Sequence, residues 1–82
     1  MTREELVVNR LNQLEQRIKA AVLRGDKTAV DLAIKEQNGY VDAITDLGYR
    51  PIQDDDKAEN VELDNVTYWI YKYTGIEDKT GR

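Results

Sequence analysis

From Arg3 to Arg24 the chain runs without proline or glycine, and along it Val7, Leu11, Leu14, Ile18 and Ala21 alternate by four and three. That spacing sets five apolar side chains on one face of a helix and commits the face to packing against another helix. Leu, Glu, Gln, Arg, Lys and Ala dominate the stretch, and all are good helix formers. Thr2-Arg3-Glu4-Glu5 has the form of a capping box, so helix 1 is expected over residues 2–24. Gly25 then supplies the left-handed residue that ends a helix, and Asp26 can cap the next. A connection this short makes neighbouring helices antiparallel.

The second helix is expected over residues 26–47, with an apolar stripe of Val30, Ala33/Ile34, Tyr40/Val41, Ile44 and Leu47 that Gln37 interrupts. Gly39 is its weak point, because glycine inside a helix costs about 1 kcal/mol relative to alanine. Asn38-Gly39 as a turn would split the segment in two, but the apolar rows resume in phase beyond it, which favours one continuous helix. Gly48 ends that helix, with Tyr49 placed to fold back onto Ile44.

Beyond Gly48 the composition changes. Pro51 excludes a helix interior, so residues 49–53 are extended. Asp54-Asp55-Asp56 with Lys57 has the composition of a solvated loop. Residues 65–74 (NVTYWIYKYT) gather β-branched and aromatic side chains, which is strand composition. Strand alternation would set Val66, Tyr68 and Ile70 against Trp69, Tyr71 and Tyr73 on opposite faces. Val61 and Leu63 suggest a short preceding strand, and residues 75–82 a frayed tail. The expected fold is α+β: an antiparallel helical hairpin followed by a small antiparallel β-hairpin or short sheet (ααββ). An all-α three-helix alternative would use Val66, Trp69/Ile70 and Tyr73 as a third helical face.

Composition narrows the functional classes. Eighty-two residues make a single small domain without cysteine or histidine. A domain of this size buries only about 60–65% of its unfolded surface, and dimerisation is the usual way to enlarge such a core. Absence of His and Cys removes the commonest general base, the commonest nucleophile pair and most transition-metal sites. The five glycines form no phosphate-binding motif. The chain is therefore expected not to be an enzyme and to carry no cofactor and no metal. Asp54, Asp56 and Glu59 invite comparison with a calcium loop, but Ala58 stands at the third ligand position and Glu59 where glycine belongs. Arg24-Gly25-Asp26 spells an adhesion tripeptide whose residues already serve a helix turn. Asn65-Val66-Thr67 matches a glycosylation acceptor without a secretory route behind it. The charged start has no apolar segment after it and no membrane span follows, so a cytoplasmic location is expected. The net charge of −4 argues against general nucleic-acid binding.

Two surfaces remain. Arg3, Arg10, Arg17 and Arg24 stand seven residues apart beside the apolar seam. They either pair with carboxylates on the second helix, Arg17 with Glu36 and Arg10 with Asp42, or face an anionic ligand such as a nucleotide at a dimer interface. A basic first helix (net +2 over residues 1–25) followed by an acidic second one (net −3 over residues 26–48) suits the pairing. Tyr68, Trp69, Tyr71 and Tyr73 make the other surface. A two-layer domain this small cannot bury both faces of their strand, so one aromatic face is left for a protein target, a second copy or a stacked ligand, unless Trp69 simply seals the core.

Short, acidic, charge-rich and free of Cys and His, the chain looks like the accessory proteins of phages and mobile elements, a likeness of composition with no motif behind it. The expectation is a non-catalytic binding or inhibitor protein, a homodimer, that occupies a host protein through Tyr68, Trp69, Tyr71, Tyr73 and Asp54, Asp55, Asp56. Sequestration of an anionic small ligand is one alternative. The other is an acidic mimic of nucleic acid built on Asp54, Asp55, Asp56, Glu59, Glu62 and Asp64.

Overall fold

The computed structural model describes residues 1–79 and has the element order α1 (Arg3–Arg24), α2 (Lys27–Asp46), β1 (Tyr49–Leu63) and β2 (Val66–Asp78). The ααββ reading holds, and residues 65–74 form no third helix. At the start of α1 the capping box is complete. Glu5 N–H donates to Thr2 Oγ1 at 3.1 Å, and Thr2 N–H donates to Glu5 Oε1 at 3.0 Å. The Thr2 N–H, assisted by the Thr2 side chain, holds the Glu5 carboxylate below its ordinary pKa. Gly25 adopts φ +73° and closes α1. Its N–H donates to the Val22 carbonyl at 3.0 Å and Asp26 N–H to the Ala21 carbonyl at 3.1 Å, which is the Schellman pattern. Asp26 caps α2 by accepting from Ala29 N–H at 3.1 Å. Helix α2 continues through Gly39 without a break, and Gly48, at φ +91°, turns the chain into β1.

β1 and β2 form a two-stranded antiparallel ribbon. Asp64 (φ +53°) and Asn65 (φ +66°) make the two-residue turn between them, both left-handed as a hairpin of the I′ type demands. Strand β2 thus starts at Val66 rather than Asn65. It also runs past Thr74 to Asp78, where a frayed tail was expected, because Tyr49–Ile52 pair with Gly75–Asp78. Residues 80–82 of the expected tail lie outside the described residues. The acidic segment is strand rather than loop. Asp54, Asp55 and Asp56 belong to β1, and they open a bulge in which β1 advances five positions, Asp54 to Glu59, while β2 advances two, Lys72 to Ile70.

The bulge alters which side chains face inward. Ile70 and Tyr73 are both buried, three residues apart, so strict alternation fails between them. A bulge raises local twist and re-aims neighbouring side chains. Tyr73 therefore joins the core instead of sharing an outer face with Trp69.

That core has two parts. Near the helical turn, Ile18, Ala21, Val22, Val30 and Ile70 pack together, with Val61, Leu63 and Tyr68 against them. At the other end Leu11, Ile44 and Tyr73 form a second cluster that Tyr49, Tyr40 and Ile76 cover. Tyr49 thus packs against the cluster that contains Ile44. Neither helix is long and apolar enough to cross a membrane, among the described residues.

Candidate functional site

One polar residue on each helix, Glu15 beside the α1 seam and Gln37 within the α2 stripe, lines the same cleft. On α1 a row of Val8, Leu11, Glu15, Ile18 and Val22 runs at helical spacing, with Glu15 in its middle. On α2 Gln37 stands between Ile34 and Tyr40. Both project between the two apolar clusters, where β2 brings Tyr73. Gln37 Nε2 donates to the Tyr73 hydroxyl oxygen at 3.0 Å. Glu15 is only 2% exposed, and its Oε1 accepts the Tyr71 N–H at 2.8 Å. Burial raises the Glu15 pKa, and the Tyr71 N–H opposes the shift in part. Burial also raises the Tyr73 pKa, reinforced by the nearby Glu15 carboxylate and opposed by the Gln37 bond.

One turn earlier on α1, Asn12 takes Tyr73 by the backbone. Asn12 Nδ2 donates to the Tyr73 carbonyl at 3.0 Å, and Tyr73 N–H donates to Asn12 Oδ1 at 2.8 Å. Tyr71 has no ladder partner opposite the bulge, and Glu15 bonds its N–H there, while Asn12 bonds Tyr73, which stays paired with Gln53 across the ribbon. The side chains of α1 stand in for a neighbouring strand there.

These groups line a cleft of about 250 Å³ whose walls include Tyr68, Trp69, Tyr71 and Tyr73, with Gln37 and Gln53 beside them and Glu15 as the one charged residue of the lining. All four aromatics singled out in the sequence are thus brought together, but not on one outer face. Trp69 is 51% exposed, and Ile70 at 2% does the sealing that was the alternative reading for the tryptophan. The Tyr68 hydroxyl also reaches Lys27 on α2 and, with Asp31, raises its pKa.

Asp54, Asp55 and Asp56 lie at the bulge, opposite Lys72 to Ile70 and so within a few ladder positions of Trp69. Asp54 Oδ1 accepts the Asp56 N–H at 3.1 Å, and Asp55 Oδ1 accepts from Gln53 Nε2 at 3.1 Å. Lys19 on α1 ties the far end of the bulge through Glu59 at 3.1 Å. Among the described residues no group of three acidic side chains could hold a metal ion.

The arginine row lies on the helices, apart from this cleft. Arg17 Nη1 donates to Glu36 Oε1, the expected pair. Arg10 also reaches Glu36, at 3.6 Å, rather than Asp42, since one long carboxylate midway between the two arginines serves both. Arg24 lies 3.9 Å from Asp26, and Arg3 is exposed in the first turn of α1. Such exposed pairs contribute about 0.2–1 kcal/mol each. A shallow depression of about 740 Å³ borders Arg17, Lys72 and a row of amides including Asn9 and Gln13, and it holds no buried charge.

Glu15 and Asn12 are the site residues that sequence reasoning missed. A charged residue inside an apolar row was the available signal for Glu15. For Asn12 there was none, since its role depends on a strand 61 residues away. No protein-family model, curated protein or solved structure matches the chain.

Proposed function

We propose that this protein is a non-catalytic binding module that acts by occupying a basic surface on another protein, through the side of the β-ribbon centred on Trp69. One observation carries the reading: a half-exposed tryptophan beside the buried Ile70 on β2, next to a structured acidic bulge. Tryptophan is among the residues most enriched as interface anchors. Buried Ile70 and Tyr73 hold the backbone beneath it, so little conformational freedom is lost on docking. Asp54, Asp55, Asp56 and Glu59 add a negative field beside the anchor, which selects a cationic counterpart and speeds encounter. The absence of His and Cys and the net charge of −4 agree with action by occupancy. Mimicry of nucleic acid is a form of the same reading, in which the occupied surface normally binds phosphates. Sequestration of an anionic ligand has less support, because Arg10, Arg17 and Arg24 already face carboxylates.

The test is affinity capture with the wild-type protein, followed by calorimetric titration of the purified captured protein. Trp69→Ala should weaken binding about tenfold or more, as an anchor residue does. Changing Asp54, Asp55 and Asp56 together to Asn should flatten the salt dependence. Undiminished affinity in Trp69→Ala sinks the reading. Sedimentation velocity over a range of concentrations tests the competing occupant, a second copy of this chain. Dissociation of a wild-type dimer on Trp69→Ala would assign the face to self-association instead.

A further inference from the structure

We infer that the cleft beneath Trp69 is a receptor for an organic cation, a guanidinium or ammonium group, carried by a side chain of the basic surface just proposed. The inference rests on that reading and deepens it. The cleft's chemistry is one-sided. Its lining bears one formal charge, the Glu15 carboxylate, which lies within the fold and is 2% exposed. Tyr68, Trp69, Tyr71 and Tyr73 surround it, and the negative faces of aromatic rings attract cations. Gln37 and Gln53 add amide oxygens that accept hydrogen bonds but bring no charge. Among the described residues, the donor that reaches Glu15 is the Tyr71 N–H at 2.8 Å. A buried carboxylate can accept several more, and a guanidinium presents five.

Size agrees with a side chain rather than a nucleotide. A volume of about 250 Å³ lies below the range of about 300–1,000 Å³ typical of pockets for whole small molecules. Position agrees as well. The acidic bulge stands at the ladder positions next to the cleft and would draw a cation to its mouth. Trp69, half in solvent, is a part of the wall that an arriving side chain can reach. It is also the chain's one tryptophan, so tryptophan emission comes from a wall of the cleft.

The experiment titrates the full chain with Nα-acetyl-arginine methylamide while following Trp69 emission. Nα-acetyl-citrulline methylamide, the same shape without the charge, is the control. A free small amine, agmatine, distinguishes a metabolite from a peptide side chain. The expected result is a saturable response to the arginine compound, about tenfold or more weaker for citrulline and correspondingly reduced in Glu15→Gln. That variant keeps an oxygen to accept the Tyr71 N–H, and its circular dichroism spectrum should match the wild type. Agmatine binding more tightly than the arginine compound would assign the cleft to a free amine, and so overturn the side-chain source. Equal responses to arginine and citrulline, no saturation, or an unaltered response in Glu15→Gln would overturn the cation receptor. If the receptor fails while Trp69→Ala still weakens the captured protein, the proposed surface stands without its pocket. If both fail, the surface falls too.

Discussion

The side-chain amide of Asn12 meets the backbone of Tyr73 twice, giving a hydrogen to its carbonyl at 3.0 Å and taking one from its N–H at 2.8 Å. A helix side chain thereby does for β2 what a third strand would. Asn12→Ala should leave both groups without this partner. The expected cost is about 1–3 kcal/mol, read as a shift in the urea midpoint with an unchanged slope. Asn12→Asp keeps the acceptor and loses the donor, and should fall between the two. A variant as stable as wild type would show that water replaces Asn12 without loss.

Glu15 makes stability depend on pH with a definite sign. Burial raises its folded pKa above the unfolded value, so the folded protein retains this proton where the unfolded chain has released it. Its stabilising contribution is full below the unfolded value and is lost as pH rises through the folded one. Glu15→Gln cannot titrate and keeps the Tyr71 bond. The difference in unfolding free energy should move in favour of the glutamine variant across that window. Glu15→Ala removes the acceptor and should cost about 1–3 kcal/mol. Parallel pH profiles for wild type and Glu15→Gln would contradict the raised pKa.

Two adjacent residues of β2 should respond in opposite ways. Ile70 is fully packed in the core, and Ile70→Ala should cost about 2–5 kcal/mol. Trp69→Ala, at a half-exposed position, should lose much less stability while losing binding. Comparable thermal shifts for the two variants would mean that Trp69 serves the core after all.

Tyr73 should ionise above the ordinary tyrosine value, since burial and Glu15 both raise its pKa. An ultraviolet titration of phenolate formation should show one late component that vanishes in Tyr73→Phe. The neutral phenol supports the fold below the unfolded tyrosine value, and that support is lost as pH rises through the folded one. A wild-type titration indistinguishable from that of Tyr73→Phe would contradict the placement.

Gly39 offers a stabilising change. A Cβ built there meets nothing within 4 Å, and the helix runs through it. Gly39→Ala should therefore gain up to about 1 kcal/mol, visible as a rise in Tm. A loss would mean that the backbone at this position needs glycine's freedom.

The helical hairpin was legible because its signals are local. Thr2 and Glu5, Gly25 and Asp26, and the four-three alternation between Val7 and Ala21 each act within a turn or two of chain. Arg17 with Glu36 followed from that hairpin, since antiparallel helices joined at Gly25 bring those levels together. Arg10 finds Glu36 rather than Asp42 because side-chain reach, not helix level alone, decides which carboxylate a long arginine meets. Asp54–Asp56 suggested a loop because their composition is that of solvated turns. Pairing across the ribbon overrode that local preference by carrying them into β1 as a bulge. Tyr73 departs from the face of Trp69 that alternation predicts, because alternation holds only while the ladder is regular.

What the amino-acid sequence determined by itself was the helical hairpin with its caps, the strand composition of residues 66–74 and the polar interruption, Gln37, in the apolar stripe of α2. Those properties follow from periodicity and capping, which each segment carries with it. Only the tertiary structure decided that Glu15, Gln37 and the aromatics of β2 enclose one cleft. The bonds that build it join residues 36, 56 and 61 positions apart. No propensity of a short segment specifies such a meeting. It arises when two helices and a bulged ribbon bury their apolar faces together and must satisfy the polar groups caught between them.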